Sequence, residues 1–195
     1  MQDHTDQTPP AGTPKVVLLV GAAHGIGREA ALQIVGRGQI LAVCDKDTAG
    51  LDALKADMPE GATLHFGAVD ITQLDDITAF VAEVETRFGR IDSAICNAGG
   101  MISLVHEGTV SSNIRGFLDI PPGDWRSIVH LNMIGSFNLA HAVLPGMIDR
   151  GAGRLVLVSS VSGLVGGPGL SVYAASKGGV IAFAKSLARE YGTRG

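Results

Sequence analysis

Short apolar runs bounded by Gly, Asp or Asn alternate along this chain with longer stretches in which apolar residues recur at helical spacing. The runs Val16–Val20, Ile40–Cys44, Leu64–Val69, Ser93–Cys96 and Leu155–Ser159 predict strands. Their near-continuous apolar character suits parallel strands buried on both faces, where strict alternation is not needed. Helical spacing predicts helices over Gly27–Gly36, Thr48–Met58, Leu74–Phe88, Pro122–Asp149, with a break near Gly135 or Pro145, and Tyr173–Tyr191. The order βαβαβαβαβα predicts an α/β domain with a parallel sheet and right-handed crossovers. Residues 1–14 carry Pro9, Pro10 and Pro14 and no periodicity, which predicts a flexible leader before a domain over 15–195. The irregular stretch Gly99–Gly123 is a candidate lid or substrate wall.

Composition narrows the function class. The 195 residues suit one domain, and 46% hydrophobic with 17% charged residues exclude disorder for most of the chain. A net charge of −4 without a basic run gives no footprint for nucleic acid. No stretch offers the roughly 18 uninterrupted apolar residues of a membrane span. Cys44 and Cys96 both sit in apolar runs, where reduced buried thiols are expected. These features together predict a soluble, cytoplasmic protein. Glycine is in excess, at 27 residues, so the backbone must approach something closely at several points.

One such point follows the first strand. Val16–Val20 runs into Gly21-Ala22-Ala23-His24-Gly25-Ile26-Gly27, after which Arg28–Ile34 takes helical spacing. Strand, glycine loop and helix in that order can turn tightly and set a pyrophosphate on the positive end of the helix. Packing of helix against strand would also use glycine, so the loop alone leaves both readings open. The absence of Lys after the last glycine argues against a P-loop. Asp45 ends the second strand, where a carboxylate can accept hydrogen bonds from adenosine ribose hydroxyls and repel a 2′-phosphate. That favours NAD over NADP, although His24 and Lys46 could each meet a phosphate. Asp45 could instead cap the helix that starts near Asp47.

Further along, the motifs accumulate in order. Asp70-Ile71 follows the third strand, Cys96-Asn97-Ala98-Gly99 closes the fourth, Asn132 lies in Val129-His130-Leu131-Asn132, and Ser160, Tyr173 and Lys177 are spaced S-x12-Y-x-x-x-K. From Lys15 onward the sequence resembles the short-chain dehydrogenase/reductase family, with Val20 where its glycine motif usually has Thr and Cys96 where its N-N-A-G motif has Asn. The resemblance implies a single Rossmann-like, doubly wound parallel sheet and a hydride transfer between a nicotinamide dinucleotide and a secondary alcohol or ketone. It implies Asn132, Ser160, Tyr173 and Lys177 as the catalytic tetrad. It assigns the cofactor to Gly21, Gly25, Ile26, Gly27, Asp45, Asp70, Ile71, Asn97, Ala98 and Gly99, together with Tyr173 and Lys177.

The chemistry agrees with that assignment. A phenol is a weak base unaided, but an ammonium nearby favours the phenolate, and Tyr173 and Lys177 are one helical turn apart. Taken alone the two would be an ordinary surface pair. By resemblance Lys177 also holds the nicotinamide ribose, Ser160 hydrogen-bonds the substrate oxygen, and Asn132 holds a water that links Lys177 to solvent. The run Ser162–Ser171, apolar and glycine-rich, should form a narrow hydrophobic wall. His65, His106, His130 and His141 lack metal-ligand spacing, so no metal is expected.

The chain reaches Gly195 where the family continues into a sixth strand, so the expected sheet lacks the last two strands of the family. Strand Leu155–Ser159 would then be an exposed apolar edge. The expected partners are a small-molecule substrate and further copies of the chain in a homo-oligomer. The alternative is a truncated dinucleotide-binding fragment without turnover. An NADP-dependent reductase of carrier-bound 3-oxoacyl groups is a weaker option, disfavoured by Asp45 and by the lack of a basic surface.

Overall fold

The computed structural model describes residues 12–101, 105–106, 109–110 and 116–195. Most of the expected leader, and ten residues of the Gly99–Gly123 stretch, lie outside the described residues.

Strands β1 (Val16–Val20), β2 (Ile40–Asp45), β3 (Leu64–Ala68), β4 (Ser93–Cys96) and β7 (Arg154–Leu157) form one parallel sheet in the order β3-β2-β1-β4-β7. Val105–His106 (β5) and Thr109–Val110 (β6) pair separately and antiparallel. Every residue of β1 is buried, which is why its sequence VVLLV needs no polar alternation. Alternate β1 side chains serve two cores. Val16, Leu18 and Val20 pack with helices α3 (Leu74–Phe88) and α5 (Gly135–Arg150), whereas Leu19 packs with α1 (Gly25–Gly36) and α2 (Thr48–Ala56). The doubly wound architecture follows from those two faces.

Helix α3 shows how the sequence forms such an element. Asp75 and Asp76 favour its N-terminal end, Ile77, Phe80, Val81 and Val84 supply the buried stripe, and Gly89 ends it at φ 76°. Burial of those four side chains contributes about 1.5–3 kcal/mol each. The region Pro122–Arg150 is one continuous helical stretch, with α4 (Pro122–Val129) joined to α5 by a π-helical turn at His130–Ile134. The expected break is therefore a widened turn rather than an interruption, and Pro145 is carried within α5. By length and composition this stretch could cross a membrane. Here Leu139, Val143 and Met147 pack it against the sheet.

Three departures from expectation bear on the site. Strand β7 ends at Leu157, because the Val158 carbonyl turns to accept from Lys177 Nζ at 2.8 Å and Ser159 Oγ donates to the Lys177 carbonyl at 2.9 Å. Ser162–Val165 forms a short helix, α6, where an irregular wall was expected. The last long helix, α7, begins at Ser171 and runs to Tyr191, lying beside α5 with Phe137 and Phe183 centroids 4.4 Å apart.

Candidate functional site

The carboxyl ends of β1, β2 and β4 open into one cleft of about 250 Å³, lined among others by Gly21, Asp45, Asp70, Asn97 and Gly99. Its floor is a set of backbone contacts that only glycine permits. Gly21 has φ +83°, and a Cβ there would lie 2.5 Å from the Ala98 nitrogen. Gly27 packs under the Gly21 carbonyl, which accepts from Asn97 Nδ2 at 2.8 Å, and a Cβ on Gly27 would come within 2.7 Å of that nitrogen. Asn97 thus locks the exit of β4 to the glycine loop. Helix α1 opens at Gly25 without a side-chain cap or an acidic residue in its first turn, so its leading N–H groups and dipole face the cleft uncompensated. Ile26 lies at that opening, 76% exposed.

At the far end of the cleft Asp45 accepts from the Ala23 N–H at 3.0 Å and the Asp47 N–H at 3.1 Å. The capping role falls to Asp47, which accepts from Gly50 N–H at 3.1 Å. Asp70 accepts from both the N–H and the hydroxyl of Thr72, at 2.9 and 2.7 Å. Burial would raise the Asp70 carboxyl, but the Thr72 hydrogen bonds and the Lys46 charge outweigh it and hold it below the ordinary carboxylate value. Ile71 is buried and its side chain packs on Gly135, so it reaches the cleft as a wall rather than as a pointing group.

The second half of the site lies where β4 and β7 meet α7 and the π-helical turn. Asn132 is fully buried; its Oδ1 accepts from Gly100 N–H, and Nδ2 donates to the carbonyls of Gly100 and Ile128, all at 3.0 Å. The side chain thereby joins the exit of β4 to the helix. Both side-chain amide hydrogens of Asn132 are committed, so a water held by this residue would donate to Oδ1 or to its backbone carbonyl, which already accepts from Ser136 Oγ at 2.8 Å. Lys177 is only 4% exposed, and burial pushes its ammonium below the ordinary lysine value, partly offset by Cys96. A Cβ on Gly99 would lie 2.6 Å from Asn132 Oδ1 and 2.8 Å from Lys177 Nζ, so the three converge on one point.

Tyr173 sits one turn before Lys177 on α7, packed against the cluster of Ile120, Ile128 and Val172. Ser160 Oγ accepts from the Ser162 N–H at 3.1 Å, which leaves its own hydrogen free to donate. Helix α6 is clamped to α7, since a Cβ on Gly163 would lie 2.7 Å from the Gly178 nitrogen. Its flank exposes Val161, Leu164 and Val165 as an apolar surface. Among the described residues there is no cluster of His, Cys, Asp or Glu able to hold a metal ion.

Sequence reasoning did not find the His24–Asp47 pair, at 2.5 Å, or the Asn132–Gly100 clamp. The first had a signal in the Asp47 capping position; the second had none, since its partners are 32 residues apart.

The glycine cradle, the open helix end and the carboxylate at the tip of β2 fit a dinucleotide in polarity and in backbone clearance. Comparison with known proteins agrees. The family model described as short chain dehydrogenase matches residues 15–195. The chain is 31% identical to 2-dehydro-3-deoxy-L-rhamnonate dehydrogenase (NAD(+)) of Sphingomonas sp. (strain SKA58), over 93% of this chain and 68% of that protein. It is 35% identical to the 3-oxoacyl-(acyl-carrier-protein) reductase FabG of Thermotoga maritima, over 92% of this chain and 69% of that one. Among solved structures, levodione reductase superposes with a TM-score of 0.83 at 30% identity, covering 92% of this chain and 67% of that one. NAD+-bound xylitol dehydrogenase gives 0.83 at 28% identity, with 92% and 66% covered. The chain therefore spans about two thirds of each of these proteins, and it belongs to the short-chain dehydrogenase family of oxidoreductases.

Proposed function

We propose that the protein transfers hydride between NAD and the carbinol carbon of a secondary alcohol, or the matching ketone. The observation that carries this reading is the single cleft joining the glycine cradle at Gly21, the carboxylate of Asp45 and the Gly99 corner where Lys177 and Asn132 converge. When bound, the dinucleotide supplies or accepts the hydride. Gly21, Gly25, Ile26 and Gly27 would hold its pyrophosphate on the α1 N-terminus, and Asp45 its adenosine ribose. Asp70, Ile71, Asn97, Ala98 and Gly99 would line the adenine and central portions.

The chain's own groups handle the proton. Tyr173 takes it from, or returns it to, the substrate oxygen, a transfer of the kind that contributes about 10²–10⁴-fold to rate. Ser160 donates its free hydrogen to that oxygen and steadies the charge developing there. The Lys177 ammonium, one turn from Tyr173, stabilises negative charge on the phenol oxygen. Asn132 acts as a positioning residue by fixing Gly100, and through it the Gly99 corner. The apolar flank of Val161, Leu164 and Val165 favours a substrate whose non-reacting part is apolar. Buried, unpaired Cys44 and Cys96 suit a cytoplasmic setting.

The test is titration of the purified chain with NADH and NADPH, following nicotinamide fluorescence and the melting shift. NADH-selective binding that weakens roughly tenfold in Asp45→Ala, with NADPH gaining relative to NADH, is the expected result. Unchanged selectivity in that variant would refute the ribose role. A second reading, reduction of a 3-oxoacyl thioester, draws on the 3-oxoacyl-(acyl-carrier-protein) reductases at 30–35% identity. Turnover of a 3-oxoacyl thioester but not of free secondary alcohols would favour it.

A further inference from the structure

The adenosine end of the cleft carries more charge than its ribose needs. His24 closes the glycine loop and Lys46 follows Asp45, and both line the cleft. Either cation could receive a 2′-phosphate, yet His24 is already engaged, its Nε2 lying 2.5 Å from Asp47 Oδ2. The other Asp47 oxygen caps α2 through the Gly50 N–H at 3.1 Å. The pair lies against the first turn of α2, where a Cβ on Gly50 would lie 2.8 Å from Ala23 Cβ, 2.9 Å from His24 Nε2 and 3.0 Å from Asp47 Oδ2, and both side chains keep contact with solvent, His24 at 71% and Asp47 at 42% exposed. Asp45, meanwhile, fastens the same loop by accepting from the Ala23 N–H. Two carboxylates two residues apart thus grip one loop, one through its backbone and one through its only ionisable side chain.

We infer that Asp47 determines cofactor specificity: by holding His24, it withholds from a 2′-phosphate the cation best placed to receive it and leaves a carboxylate in its stead. This rests on the reading of the cleft as a dinucleotide site. With Asp47 present, the groups around His24 are Asp45 and Asp47 against Lys46 from the β2–α2 turn, with Arg28 on its own helix already paired to Asp57. Removing the Asp47 charge alone leaves Lys46 and a free His24 facing Asp45, a balance that accepts a phosphate. Asp47 acts through His24, so it is a positioning residue.

The experiment compares Asp47→Asn with the natural chain, and Asn keeps the helix cap while losing the charge. The measured quantity is the ratio of NADPH to NADH affinity, with adenosine 2′,5′-bisphosphate as a competitor that needs only the adenosine end. The ratio should move toward NADPH by roughly three- to ten-fold in Asp47→Asn, the net value of one hydrogen bond. Asp47→Ser, which also caps, should behave alike, and adding His24→Gln should restore the natural ratio. An unchanged ratio in both cap-preserving variants, or a gain that survives His24→Gln, overturns the inference while leaving the dinucleotide reading intact. A natural chain that binds neither NADH nor NADPH overturns that reading and the inference with it.

Discussion

In the proposed mechanism Tyr173 carries the proton, and its ring packs against the cluster of Ile120, Ile128 and Val172. Tyr173→Phe should therefore keep the fold and NADH affinity while reducing turnover by about 10²–10⁴-fold, as steady-state rates against fluorescence titration would reveal. Appreciable residual rate would assign the proton to another group. Lys177 poses the opposite problem, since a charge at 4% exposure is held, among the described residues, by one hydrogen bond, to the Val158 carbonyl. Its ammonium value is lowered by burial, so in the range between that value and the ordinary one near 10.4 the unfolded chain binds more protons than the folded chain. Stability thus rises with pH through that window, and the cost of the buried charge is fully present below it. Lys177→Met should melt higher than the natural protein at pH 7, with the gap narrowing as pH approaches 10. A gap that is constant or widens with pH would show that the ammonium is not penalised in the fold.

At the scale of elements, the glycine loop sets stability as well as the cleft. Gly21→Ala combines φ +83° with a Cβ 2.5 Å from backbone, and neither can relax without moving β4. It should cost roughly 3 kcal/mol or more, read from chemical denaturation. Gly123, in the first turn of α4 with nothing within 4 Å of its Cβ position, is the control: Gly123→Ala should gain up to about 1 kcal/mol. Loss of equal size at both positions would contradict the close-approach account. The contrast also marks what the sequence could tell. Strands β1 and β4 and helix α3 were legible to the residue because each is a local apolar pattern closed by Gly, Asp or Asn, and α3 also has an acidic first turn and Gly89 at its C-terminal end. The fold class and the family followed from the order of those patterns and motifs. The π-helical turn was not legible, since Asn132 there serves Gly100, 32 residues earlier in the chain. Nor was α6, four residues whose conformation depends on contact between Gly163 and the α7 backbone. The end of β7 was misplaced for the same reason, the carbonyl just past it, on Val158, being claimed by Lys177, 19 residues later.

Across the whole molecule, the sheet is unevenly covered. Helices α1 and α2 pack over β1, β2 and β3 but do not reach β7, whose Val156, in register with Ile95, is left 48% exposed. Among the described residues no strand pairs with the outer edge of β7. Beside that edge runs a groove of about 240 Å³ lined chiefly by Leu144, Met147, Leu155, Leu157, Leu187 and Tyr191. An unpaired parallel edge next to an apolar groove is a surface on which another strand gains both ladder hydrogen bonds and burial. The chain should accordingly self-associate with rising concentration, as sedimentation velocity would detect. Val156→Lys places a charge that pairing would have to desolvate, so it should shift the distribution toward monomer. NADH affinity should not change, because Val156 lies mid-strand in β7, away from the carboxyl ends of β1 and β2 that form the cleft. A natural chain that stays monomeric at every concentration would mean that the β7 edge is protected. Equal association by the natural chain and the lysine variant would place the contact on another face, and the paired helices α5 and α7, joined at Phe137 and Phe183, would be the next surface to alter.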